Sequence, residues 1–328
     1  MTSILVTGGS GFVGRTLLRL LVEEHYQVRA TCCDSVPALL GHSGTVHEWF
    51  HYDLANAHYD YSRMLDGIEM IVHLASLTHI EQQRWKKAGN IWKINVAGTT
   101  RLAEEAVLRG ITRFIFISTV KVLGERTGRY SDGNPQYFTE CNSPSPSIPY
   151  AMSKFETEEV IKEVCQGFPM EYTIFRPPLL YGPGVKANFL HLLDMIYREI
   201  PLPLAYVENM RSLLFVDNLC HAIVMSLRHK SAANQIYLIK DIDISLLDLV
   251  KATSRMFGKK AMLFPFPLSL LRLAGKCTGK SDIIYRLTDS ILVDDGKLRS
   301  ELRWSPPVSF EEGLGKTVEW YRKAVTGE

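Results

Sequence analysis

The stretch SILVTGGSGFVG, residues 3–14, decides the fold. Ser3 to Thr7 is a short apolar, β-branched run. After the glycines, Phe12, Val13, Leu17, Leu18, Leu21 and Val22 recur at helical spacing, so strand, turn and helix follow one another. In that context the glycines predict a phosphate site. Gly8 permits the tight turn, Gly11 lets backbone approach an anion, Gly14 lets helix and strand pack closely, and the helix N-terminus faces the ligand. A glycine-rich turn with no ligand is the competing reading, and its place between strand and helix argues against it.

Similar apolar bursts recur at Val28 to Cys32, Glu69 to Ala75, Phe114 to Ser118 and Tyr172 to Phe175. Helical segments such as Trp85 to Leu108 and Ala151 to Cys165 separate them. Strands alternating with helices give a parallel sheet covered on both faces, with the ligand crevice at the carboxyl ends of the strands. After Arg176 the rhythm changes to a loop with Pro177, Pro178 and Pro183, and a second proline cluster stands at Pro265 and Pro267. We read residues 1–176 as a nucleotide-binding domain that also receives elements from about 211–240. Residues 177–328 form mainly a smaller, interleaved C-terminal substrate lobe.

The chain has 328 residues, 46% hydrophobic and 22% charged, which is ordinary for a globular enzyme. Lys+Arg 37 against Asp+Glu 35 leaves no basic excess to cover a phosphate backbone, so nucleic acid is not an expected partner. Cys32, Cys33, Cys141, Cys165, Cys220 and Cys277 form no CxxC pair and no metal-ligand rhythm. Free thiols in the cytoplasm are the expectation. The most apolar stretch, Leu263 to Ala274, is broken by Pro265, Pro267 and Arg272, so no transmembrane segment is expected.

The TGxxGxxG spacing of residues 7–14 resembles the extended short-chain dehydrogenase/reductases of the NAD-dependent epimerase/dehydratase type, and further motifs agree. Asp53-Leu54 resembles the family's adenine-contacting pair, Leu74-Ala75-Ser76 its cofactor-lining strand end, Asn95 its structural asparagine and Pro177 the residue beside the nicotinamide. Tyr150-Ala-Met-Ser-Lys154 resembles its catalytic signature. Residues four apart stack on one helical face, so an ammonium sits beside the phenol, lowers its pKa and reaches the nicotinamide ribose. A Tyr-x-x-x-Lys alone is more often a solvated pair; joined to TGxxGxxG it carries weight. Thr119, in FISTVKVLG, would bond the substrate oxygen and the same phenol. The resemblance implies a Rossmann-type doubly wound α/β fold, and a cofactor site that also includes Phe12, Val13, Cys32, Cys33, Asn95 and Ser118.

Two local readings bear on cofactor and metal. His47-Glu-Trp-Phe-His51 is a literal HExxH, but VHEWFHYDL is rich in β-formers. On a strand the two histidines stand ~13 Å apart, too far to share one ion. NADP-preferring relatives carry an arginine where Cys33 stands here, so NAD is favoured and NADP is left open. Asp34 lies late for an acidic ribose ligand, and Arg29 is expected to point away along its strand.

The second lobe resembles sugar-nucleotide enzymes. Asn188, after the RPPLLYGPG segment, and Arg211, six residues before Asp217, resemble a diphosphate clamp, for which a planar guanidinium is suited. A rim charge in a salt bridge is the plainer reading of Arg211. The whole chain resembles the bacterial branch of UDP-glucose 4-epimerases and of 4-keto reductases that make UDP-N-acetylquinovosamine for O-antigen. Lys121 and Leu179 depart from that pattern inside the pocket. The implied substrate is a UDP-sugar touched by Ser76, Thr119, Lys121, Tyr150, Asn188 and Arg211. Epimerase, one-way 4-keto reductase, reductase of a small apolar ketone, and an NAD(P)-sensing module remain in play, and a homodimer is compatible with the sequence.

Overall fold

The computed structural model describes residues 2–33, 46–78, 91–277, 285 and 288–327. Ten strands follow in chain order: β1 (Ser3–Thr7), β2 (Gln27–Cys32), β3 (Glu48–His51), β4 (Met70–His73), β5 (Arg113–Ile117), β6 (Glu171–Arg176), β7 (Leu179–Tyr181), β8 (Met210–Phe215), β9 (Gln235–Leu238) and β10 (Ile242–Ser245). Seven of them form one sheet in the order β3-β2-β1-β4-β5-β6-β9, and every pairing in it is parallel. This is a Rossmann-type doubly wound sheet, whose order reverses beside β1 and opens a crevice there. The central strands are buried on both faces, so they read as continuous apolar runs; all five residues of β5 are buried.

Helices α1 (Phe12–Glu23), α2 (Ser62–Leu65), α3 (Thr99–Leu108) and α4 (Pro149–Cys165) connect these strands. Leu17, Leu18 and Leu21 of α1 face the sheet beside α6 (Val216–Arg228), while Leu102 of α3 and Ile161 of α4 cover the other face. A π-helical turn, Trp92–Gly98, leads into α3; the upstream part of that expected helix, with Trp85, lies outside the described residues. The remaining helices are α5 (Ala187–Tyr197), α7 (Leu246–Phe257), α8 (Leu268–Cys277), α9 (Gly296–Leu302) and α10 (Phe310–Tyr321).

A second sheet, β10-β8-β7, pairs β10 antiparallel and β7 parallel to β8. Of the elements between residues 211 and 240, β9 joins the main sheet and α6 packs on α1, whereas β8 belongs to this smaller sheet. Glu48–His51 of the HExxH segment form β3. His47 Nδ1 accepts the amide of Val28 at 3.1 Å, and His51 Nε2 lies 3.0 Å from the Cys33 carbonyl. Among the described residues no cluster of His, Cys, Asp and Glu is fit to hold a metal, and no helix is long and apolar enough to cross a membrane.

Candidate active site

A cleft of about 2010 Å³ runs along the carboxyl ends of β1, β2, β4, β5 and β6 and continues into the smaller sheet. At one end the glycine loop forms its floor. Gly8 has φ +70, and a Cβ there would stand 2.8 Å from the Ala75 nitrogen; at Gly14 it would stand 2.4 Å from the Gly8 carbonyl oxygen. Both close approaches leave bare backbone and the N-terminus of α1 facing the cleft, which is the cradle a dinucleotide pyrophosphate requires. The loop is tied down by Gly9 N donating to Thr31 O at 2.9 Å and by Ala75 N donating to Thr7 Oγ1 at 3.2 Å.

Gly8, Gly11, Phe12, Val13, Gly14, Cys33, Asp53, Leu54, Leu74, Ala75, Ser76, Ser118 and Pro177 all line this cleft. Two residues read as cofactor contacts do not. Cys32 is buried with its sulfur toward the Phe50 carbonyl, because side chains alternate along β2 and its neighbours Thr31 and Cys33 take the cleft side. Asn95 is buried behind the wall: Oδ1 accepts Leu77 N at 2.7 Å, and Nδ2 donates to Leu77 O and Ser153 Oγ, both at 3.1 Å. It pins the loop after β4 to α4. Arg29 turns away, donating to Asp66 O and facing Glu48 at 3.8 Å; Asp34 lies outside the described residues.

At mid-cleft stand Thr119, Tyr150 and Lys154. Pro149 opens α4 and so sets Tyr150 in its first turn, with Lys154 one turn on. Lys154 is 3% exposed. Its ammonium donates to the Ile117 carbonyl at 2.8 Å and lies 4.5 Å above the Phe116 ring. Burial pulls its pKa down to about 7, against the Glu158 carboxylate, which pulls it up. Glu158 is in turn gripped by Arg176 through Nε at 3.1 Å and Nη2 at 2.5 Å. His73, bonded between Thr7 Oγ1 (2.7 Å) and Thr99 Oγ1 (2.8 Å), is held neutral, its pKa pushed to about 3 by burial and by Lys154. Thr119 is extended and its Oγ1 accepts the Lys121 amide, capping the turn Val120–Val122.

The far end contains Lys121, Asn188 and Arg211. Arg211 Nη2 donates to the Asp289 carbonyl at 3.1 Å, which braces the guanidinium at the cleft wall. Lys121 is ion-paired with Glu125 at 2.8 Å, so its charge is matched within the pocket. The cleft also exposes Thr31, Lys93, Ser145, Ser147 and His191, which the sequence reading missed. Thr31 follows from Cys33 by the period of two along β2; the others come from loops and helix faces with no motif to mark them.

The model of the NAD dependent epimerase/dehydratase family matches residues 4–239. A UDP-glucose 4-epimerase of Vibrio cholerae is 35% identical over 329 residues, covering 98% of this chain and 96% of that protein. A dTDP-D-glucose 4,6-dehydratase of Mus musculus is 26% identical, covering 98% and 88%. Among solved structures, a UDP-glucose 4-epimerase of Thermotoga maritima with UDP-glucose superimposes with a TM-score of 0.79 at 24% identity over the whole of both chains.

Proposed function

The chain belongs to the NAD-dependent epimerase/dehydratase family of enzymes, and from that premise we propose that it is a nucleotide-sugar 4-epimerase acting on carbon 4 of a UDP-hexose. The observation that carries the reading is the continuity of one cleft. It joins a glycine cradle to Arg211 and Asn188, with Tyr150, Lys154 and Thr119 between them. A dinucleotide and a diphosphate sugar laid end to end need that sequence of groups.

The glycine loop, Asp53-Leu54 and Leu74 to Ser76 would hold NAD, which when bound would supply the acceptor and donor of a hydride. Tyr150 moves the proton of the sugar hydroxyl, because the Lys154 ammonium one turn away favours its phenolate. Thr119 bonds the same oxygen. Arg211 and Asn188 hold the diphosphate while the hexose turns over between them, so binding remote from the reacting carbon keeps the intermediate in place. The Lys121–Glu125 pair leaves no uncompensated charge of its own beside the sugar, which is less suited to favouring one-way reduction.

The test is to incubate purified protein with UDP-glucose or UDP-galactose without added cofactor and to separate the products chromatographically. Interconversion with no consumption of NADH, lost by at least ~10²-fold in Tyr150→Phe while NAD binding persists, is the expected outcome. Stoichiometric oxidation of NADH only in the presence of a UDP-4-keto-6-deoxy sugar would put the reductase in its place.

A further inference from the structure

The apolar stretch too broken to span a bilayer has another use open to it. From Lys251 to Lys276 the chain carries six basic residues (Lys251, Arg255, Lys259, Lys260, Arg272, Lys276) and no acidic one, although Lys+Arg and Asp+Glu nearly balance over the whole chain. In the same stretch Met262, Phe264, Leu270 and Leu273 are 44%, 40%, 50% and 56% exposed. Leu270 and Leu273, three apart on α8, share a helical face. Backbone bonds from Leu202 N to Met262 O and from Phe264 N to Leu202 O lay the 200–206 loop alongside, adding exposed Ile200 and Tyr206. None of these six side chains lines the active-site cleft, so catalysis does not account for their exposure.

We propose that this face is a docking surface for an anionic lipid bilayer, on which the enzyme lies without crossing it. Exposed apolar side chains interleaved with cations along one segment are the pattern of an interfacial anchor: the rings and leucines enter the headgroup boundary and the cations meet its negative charge. Glu199 and Asp248 reach in from outside the stretch toward Lys259 and Lys251, at 3.7 Å and 4.0 Å. Arg255 and Lys260 make no ion pair among the described residues. Six cations in the stretch against these two carboxylates leave it a positive excess, which suits an anionic bilayer.

The full chain is tested by co-sedimentation with vesicles of phosphatidylglycerol and, separately, of phosphatidylcholine, at low and high salt. We expect binding to phosphatidylglycerol alone, release by salt, and a loss of at least about tenfold in partitioning for the double variant Leu270→Glu, Leu273→Glu. That variant keeps its turnover in solution and its mass by light scattering. The proposal falls if the wild-type protein stays in the supernatant with phosphatidylglycerol, if the double variant partitions as well as wild type, or if the variant changes oligomeric state. The last result assigns the face to a second copy. Because binding is read without substrate, these outcomes stand apart from the epimerase reading.

Discussion

Lys154 is buried beneath the cleft with its ammonium on the Ile117 carbonyl, and its charge is a balance between burial and the Glu158 carboxylate one turn further along α4. The Arg176–Glu158 pair, 3% and 0% exposed in its side chains, holds that carboxylate in place. Removing either partner would strand a buried charge. With a pKa near 7, Lys154 loses its proton as pH rises through neutrality. If the ammonium is what favours the Tyr150 phenolate and holds the cofactor ribose, kcat/KM must fall across that window. The measurement is the pH profile of kcat/KM for wild type and for Lys154→Met. Wild type should show an alkaline limb near 7. The variant should lose ~10²-fold or more in turnover, bind NAD more weakly, and show no such limb in its residual rate. A wild-type profile that stays flat above neutrality would take the proton-sensitive role away from Lys154.

At the scale of elements, β1, the glycine loop and α1 form one unit whose geometry depends on absent side chains. A methyl group at Gly14 would meet the Gly8 carbonyl oxygen at 2.4 Å and the Gly9 Cα and O at 2.7 Å, all of them backbone that cannot rotate aside. Gly14→Ala should therefore push α1 off the loop, cost about 1–3 kcal/mol of stability, and weaken NAD binding by more than tenfold. Thermal unfolding and a fluorescence titration with NADH would measure the two losses; a variant of unchanged affinity would show that the cradle tolerates a wider loop. This unit was fully legible in the sequence, because a buried parallel strand, a glycine turn and an amphipathic helix each leave a local pattern. The same holds for β4, β5, β6 and the Tyr150–Lys154 face. The smaller sheet left less of a trace: β8 has an apolar run, but β7 has three residues and β10 is half-buried throughout, so neither alternation nor an apolar run marks those two. Cys32 was misplaced, and the structural Asn95 was counted among the cofactor contacts, for a related reason. A motif gives a residue's neighbourhood, while the side of a strand or wall it faces is set by packing. The Lys121–Glu125 and Arg176–Glu158 pairs depend on side-chain contacts that spacing alone does not fix.

At the scale of the molecule, the two sheets are joined where β9 gives way to β10, and Asp241 sits in that link. Its amide donates to the Leu213 carbonyl at 2.9 Å, and its Oδ2 accepts the Phe215 amide at 2.6 Å, so the residue fastens the end of β8 to the main sheet. Oδ1 is buried with no hydrogen-bond partner among the described residues; the neighbouring Asn218 amide donates to the Val308 carbonyl. Burial raises the Asp241 pKa from 3.8 to about 7, more than Phe215 N, Asn218 and Arg299 lower it. The folded chain therefore keeps a proton there that the unfolded chain has already released between those two values. Each pH unit across that window costs stability, ~1.4 kcal/mol at most, and the loss is complete above 7 at about 4 kcal/mol. Asp241→Asn keeps an acceptor for Phe215 N and removes the titration. The variant should match or fall slightly below wild type in thermal midpoint near pH 4, and exceed it increasingly up to pH 7, after which the difference levels off. Subtracting the two curves cancels every other titrating group, so the shape of the difference reports Asp241 alone. A difference that does not change with pH would mean that the carboxylate is ionised in the folded link throughout, with the joint between the sheets held by a charge.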